Sequence, residues 1–164
     1  KKVAPKARLN VNGTAADPKK HDLAIVVIGE KPYAEGMGDI RGSDWEISDT
    51  HEKISGLLKV LHPYGSSLAL KDLHPEDITT IDLIQKKGIP IVCVFIGGRP
   101  LIVNEEIEKS QAFVAAWLPG SEGDGVADVL FGKSDFQGKL SFTWYKDKEQ
   151  TEVLFPLNYG LQFS

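Results

Sequence analysis

The sequence predicts an α/β fold, a mostly parallel sheet flanked by helices in a three-layer α/β/α sandwich. Two observations carry this. Apolar runs rich in β-branched residues recur at 23–28 (LAIVVI), 91–96 (IVCVFI) and 112–117 (AFVAAW), each followed by a glycine-bearing turn. Helical patterns lie between and after them, so the strands are joined by right-handed crossovers rather than hairpins.

Residues 1–22 are rich in Lys, Pro, Gly and Asn without a sustained period, and are expected to form an irregular arm or a truncated element. The run at 23–28 has the pattern of a strand covered on both faces. Gly29 ends it, and a loop with Pro32 and three glycines runs to about Gly42. Residues 41–70 read as an insertion holding a short helix, with Ile54, Leu57, Leu58 and Leu61 at helical spacing before His62-Pro63. Pro75-Glu76-Asp77 suits a first helical turn, where proline's missing donor costs nothing and carboxylates favour the positive dipole end. Lys86-Lys87-Gly88 closes that helix. The 91–96 strand turns at Gly97-Gly98-Arg99-Pro100, a short helix is expected near Glu105 to Lys109, and the 112–117 strand follows. The loop 118–125 leads into a helix over 126–131 ended by Gly132, and 139–144 (KLSFTW) alternates like an edge strand. The domain is thus expected over 23–164.

At 164 residues, 41% hydrophobic and 26% charged, the chain has the composition of an ordinary globular domain. A net charge of -4 gives no reason to expect nucleic acid or an acidic membrane surface as a partner. No apolar run nears the roughly 20 residues of a spanning helix. The lone Cys93 lies within an apolar run, as a buried thiol would. A start at Lys1, without Met or a signal-peptide pattern, reads as a fragment or processed product, leaving the compartment undetermined.

In a parallel sheet, functional loops gather at the carboxyl ends of the strands. That rule brings Glu30, Tyr33, Glu35, Asp39, Arg99, Glu122 and Asp124 into one neighbourhood. Neither glycine turn gives GxGxxG or a P-loop, and Glu122 and Asp124 would repel a phosphate. His21, His51, His62 and His74 lack metal-ligand spacing, and no GxSxG elbow occurs. No metal and no cofactor is therefore expected. Carboxylates on a glycine-flanked loop beside Tyr33 could do general acid/base work, or could simply be solvated; the residues alone leave both open.

Residues 24–39 (AIVVIGEKPYAEGMGD) resemble the acid/base loop in the second, flavodoxin-like α/β domain of family 3 glycoside hydrolases of the β-glucosidase and exo-β-glucanase type. Further similarities follow in the family's order at 88–100, where Gly97 replaces the usual serine, and at 112–132, 136–144 and 156–161. The resemblance implies that Glu35 is the acid/base of a retaining enzyme acting on terminal β-D-glucosyl linkages of a β-glucoside or β-glucan oligosaccharide. It implies a nucleophilic aspartate on an N-terminal (β/α)8 barrel of the same protein, and a periplasmic or secreted location. Tyr33, Asp39, Arg99 and Glu122 are expected as substrate-loop or interface residues, with Arg99 an ion-pair partner for loop carboxylates and Glu122 and Asp124 as helix caps. Trp117 and Trp144 are expected in the core. Ser43-Asp44-Trp45 matches the family's nucleophile sequence but lies in the wrong domain, and is read as coincidence. The barrel and the domain's first strands are missing, so the sheet is expected to be incomplete on its N-terminal side and the isolated chain inactive. The alternative is a non-catalytic carbohydrate-binding or interaction module on the same scaffold.

Overall fold

A computed structural model describes residues 4–30 and 67–163. Within them, three strands, β1 (Ala24–Gly29), β2 (Ile91–Ile96) and β3 (Ala112–Trp117), form one parallel sheet in the order β1-β2-β3. Ala24 faces Ile91 and Gly29 faces Ile96, with no slip along the pair. Between β2 and β3 the register shifts at Phe95/Ile96, so that Ile96 meets Trp117. The sheet is flanked by helices, α1 (Leu70–Leu73), α2 (Pro75–Lys86), α3 (Asn104–Glu108) and α4 (Gly123–Leu130). The fold class is α/β, as the alternation of strand and helix patterns requires.

Helix α2 has Pro75 in its first turn with Glu76 and Asp77, and Lys86 in its last. Gly88, at φ 73, takes the left-handed conformation that lets the chain turn into β2. The Lys87 ammonium donates to the carbonyls of Gly13, Thr14 and Ala16, which fastens the N-terminal arm beside this helix. The core takes alternate residues from the sheet: Val26 and Ile28 from β1, and Ile91, Cys93 and Phe95 from β2. Against them pack Leu70, Ile81 and Ile84 from α1 and α2.

The other side chains of β1 are not covered as their apolar run suggests. Ile25 is 42% exposed and Val27 63%. Strand β1 stands at the edge of the described sheet, and α2 draws only on its Val26 and Ile28 face. The expected edge strand at 139–144 also differs. Only Trp144 and Tyr145 (β4) are strand, paired antiparallel with Val153–Phe155 (β5) in a separate small sheet. The preceding residues bond elsewhere: Leu140 N–H donates to the Tyr159 carbonyl and Asn158 N–H to that of Leu140. Trp144 fixes this choice. Its ring is 2% exposed, its indole N–H donates to the Leu101 carbonyl at 2.6 Å, and it packs against Phe95, Phe113, Trp117 and Phe155.

Candidate active-site rim

Parallel pairing puts the carboxyl ends of β1, β2 and β3 side by side. Gly29 closes β1 at φ 151, and a Cβ there would lie 1.8 Å from the Ile96 carbonyl oxygen. Only glycine lets the two backbones approach this closely. The Gly29 N–H donates to Asp77 Oδ2 on α2 at 3.1 Å, and the next amide, of Glu30, donates to the Ile96 carbonyl at 3.0 Å. Burial pushes the Asp77 carboxyl above its usual range, against the opposing pull of the Gly29 bond.

Glu30 then turns to the strand beside it. Arg99 donates from Nε at 3.0 Å and from Nη2 at 2.7 Å, both to Glu30 Oε1. The two side chains are 4% and 13% exposed, so this charge pair lies within the rim. Glu30 Oε2 is buried and has no partner among the described residues. At the end of β3, Trp117 adopts φ 54, and its carbonyl accepts from Gly97 N–H at 3.1 Å. A bulky residue in that region carries about 1–3 kcal/mol of strain. Trp117 is held there by Phe142 at 5.6 Å and Trp144 at 5.3 Å between ring centres. A cavity of about 410 Å³ sits beside these turns, lined by residues 97–100, 117–118 and 139–142.

The family model described as the glycosyl hydrolase family 3 C-terminal domain matches residues 4–163. The chain belongs to this family. Among solved structures it is similar to an exo-1,3/1,4-β-glucanase from a Pseudoalteromonas species, in a mutant form, with 41% identity and a TM-score of 0.65. That match covers 86% of this chain and 21% of the glucanase. It is similar to a xylan 1,4-β-xylosidase of Xylanibacter ruminicola at 34% identity, over 60% of this chain and 13% of that protein. A periplasmic β-glucosidase of Salmonella typhimurium is also 34% identical, over 51% of this chain and 11% of that protein. The chain therefore spans a small part of these glycoside hydrolases.

Of the residues that the sequence singles out for this family 3 domain, Tyr33, Glu35, Asp39 and the Ser43-Asp44-Trp45 stretch lie outside the described residues, as do Ile54, Leu57, Leu58 and Leu61 of the helix expected within 41–70. Arg99 lies at the rim, bound to Glu30. Glu122 occupies the N-cap position of α4, yet its side chain makes no cap bond and instead accepts from Ser121 Oγ at 3.0 Å. Its φ of -90 and ψ of 31 are not the extended geometry from which a side chain reaches back to the first amides. Asp124 sits in the first turn of the same helix. Trp144 is core, whereas Trp117 is only half-buried and lines the cavity.

Sequence reasoning missed the part played by Asp77, which reads as an ordinary first-turn carboxylate. It also missed Lys139, Ser141 and Phe142, which a strand reading hides. The departure at Gly97 has a physical cause. A Cβ there would come 2.5 Å from Cζ of Phe95, a fully buried ring. With phenylalanine two residues earlier, a serine at this position would have to displace that ring.

Proposed function

We infer that this chain is the acid/base-bearing part of a retaining β-glucosidase or exo-β-glucanase, working with a (β/α)8 barrel of the same protein on terminal β-D-glucosyl linkages. The observation that carries the reading is the root of the 31–39 segment. Gly29 and Glu30 are pinned at the carboxyl rim by Ile96, Asp77 and Arg99, so the Pro32-Tyr33-Ala34-Glu35 sequence leaves from the edge where such sheets place their chemistry. The glucanase at 41% identity supports a glucosyl substrate, and the xylosidase relative makes a xylosyl unit the competing one.

In this mechanism the barrel's aspartate attacks the anomeric carbon while the Glu35 carboxyl gives its proton to the departing glycosidic oxygen. The glycosyl–oxygen bond breaks and a covalent glycosyl-enzyme forms. Glu35, now a carboxylate, takes a proton from water as that water displaces the aspartate, restoring both groups. The two carboxyls must approach within about 5–5.5 Å for this geometry.

The test is made on the protein that carries this chain together with its barrel. Glu35→Ala should lose most activity on glucosides with poor leaving groups and regain part of it with azide, which needs no base. Full rate in the variant would refute the assignment, and faster turnover of aryl β-xylosides than of β-glucosides would move the substrate to xylose. The 164-residue chain alone should not turn over an aryl β-glucoside. Turnover that Asp44→Ala abolishes would show a complete catalytic pair within it.

A further inference from the structure

The N-terminal arm carries chemistry that the sugar reaction does not use. Asn12-Gly13-Thr14 is the one place in the chain where an asparagine precedes a glycine. Asn12 and Thr14 are exposed, while Gly13 is buried against α2. Gly13 has φ 69, and a Cβ on it would come 3.0 Å from Ile84 Cγ1, so the bend is fitted to glycine. The Lys87 ammonium holds the bend in place, 3.2 Å from the Gly13 carbonyl and 2.8 Å from that of Thr14.

The side-chain amide of Asn12 is gripped by the residue two places on. Thr14 donates to Asn12 Oδ1 twice, from its backbone N–H at 3.3 Å and from Oγ1 at 2.7 Å. A peptide N–H only donates, which fixes the oxygen of the amide, rather than its nitrogen, on this side. Two donors on one carbonyl oxygen draw electrons from its carbon and stabilise an anion that forms there, as in an oxyanion hole. The Gly13 peptide nitrogen is the adjoining nucleophile. No Cβ of its own residue shields it, and its N–H donates to no group among the described residues.

We propose that Asn12 is a self-modification site, at which the chain converts its own side-chain amide to a carboxylate. The Gly13 nitrogen adds to Asn12 Cγ, forming an N–C bond and placing negative charge on Oδ1 under the two Thr14 donors. The proton that leaves Gly13 passes through solvent to the departing amide nitrogen. The Cγ–Nδ2 bond breaks, and ammonia leaves behind a cyclic imide. Water then opens the imide: attack at Cγ gives an ordinary aspartyl residue at position 12, and attack at the main-chain carbonyl carbon gives an isoaspartyl link. Water is consumed and ammonia released, with no oxidant or reductant. Either product adds a negative charge to the arm that Lys87 fastens beside α2. The reaction involves neither the barrel nor Glu35.

The test is to incubate the 164-residue chain at mildly alkaline pH beside a peptide of residues 7–18, following the aspartyl and isoaspartyl products by peptide mapping and mass spectrometry. The chain should convert at Asn12 at least about fivefold faster than the peptide, because only the fold sets both Thr14 donors on Oδ1. Asn10, Asn104 and Asn158, each followed by a residue with a side chain, should stay intact while Asn12 converts. Thr14→Val removes the hydroxyl at an exposed site and should slow the chain about threefold to tenfold, with little effect in the peptide. Thr14→Ser keeps the donor and should keep the rate. A chain no faster than the peptide, a Thr14→Val rate equal to that of the unaltered chain, or conversion at the other asparagines as fast as at Asn12 would each overturn the proposal.

Discussion

Removing Arg99 should unfasten the rim at a definite energetic cost. In Arg99→Met the Glu30 carboxylate, 4% exposed, loses both donors to its Oε1, at 3.0 and 2.7 Å. Stripping one partner from a buried ion pair costs about 3–5 kcal/mol, because the other charge stays behind without compensation. Arg99 is 13% exposed, and water entering the vacated space would relieve part of this, so a loss of about 3 kcal/mol is expected. Glu30→Gln keeps an acceptor but removes the charge, and should cost about 1–2 kcal/mol. The double variant buries a neutral amide with no arginine beside it, and should fall short of the summed losses by about 2 kcal/mol. Urea unfolding of all four proteins, followed by tryptophan fluorescence and far-ultraviolet circular dichroism, gives that coupling. The cycle cancels whatever else Arg99 contacts. A coupling under about 0.5 kcal/mol would be ordinary additivity and would refute the view that this pair anchors the root of the 31–39 segment.

Burial raises the Glu106 carboxyl above its usual 4.5, so the folded chain holds that proton more tightly than the unfolded chain. The contribution of Glu106 to stability should be full below pH 4.5 and be lost as pH rises through the folded value, by up to about 1.4 kcal/mol per unit, and Glu106→Gln should remove this part of the pH dependence; parallel pH profiles of the urea midpoint would contradict it. Gly29→Ala places a methyl 1.8 Å from the Ile96 carbonyl oxygen and should cost at least about 3 kcal/mol in the same assay; a loss under about 1 kcal/mol would mean that the β1–β2 approach is not obligatory. Gly97→Ser should cost about 1–3 kcal/mol by overpacking against Phe95, and markedly less in a Phe95→Leu background. Equal costs in the two backgrounds would remove Phe95 as the reason for the glycine.

The three strands of the sheet and α2 were legible because each has a strong local signal: an unbroken β-branched run, or a Pro-Glu-Asp start and Lys-Lys-Gly finish. Which face of a strand is covered is not a local property. The run at 23–28 is apolar at every position, yet Ile25 and Val27 stay exposed because the partner for that face is not among the described elements. Likewise 139–144 alternates as a strand should, but one buried tryptophan with its indole bonded to Leu101 directs the segment to other partners. Glu106 is the sharpest case. In the run Asn104-Glu105-Glu106-Ile107-Glu108 its charge reads as solvated, whereas in the five-residue helix its side chain is 1% exposed.

Glu30 and Arg99 were legible for a different reason, since parallel pairing alone brings the residues after β1 and β2 together. That argument reached Glu30 and Arg99 without saying that they would bind each other. Three constraints meet at this point: glycine for the backbone approach at 29, a carboxylate at 30, and an arginine one turn beyond the neighbouring strand at 99. Each alone is a common residue in a common place. Together they form a clamp across the ends of two strands. Outside an active site a surface loop gains little from a buried ion pair, which is costly to desolvate and seldom stabilising relative to apolar packing. We propose that the pair is kept at Glu30 for positioning the residues that follow it rather than for the stability of the sheet, which is what the Arg99→Met cycle and Glu35→Ala together test.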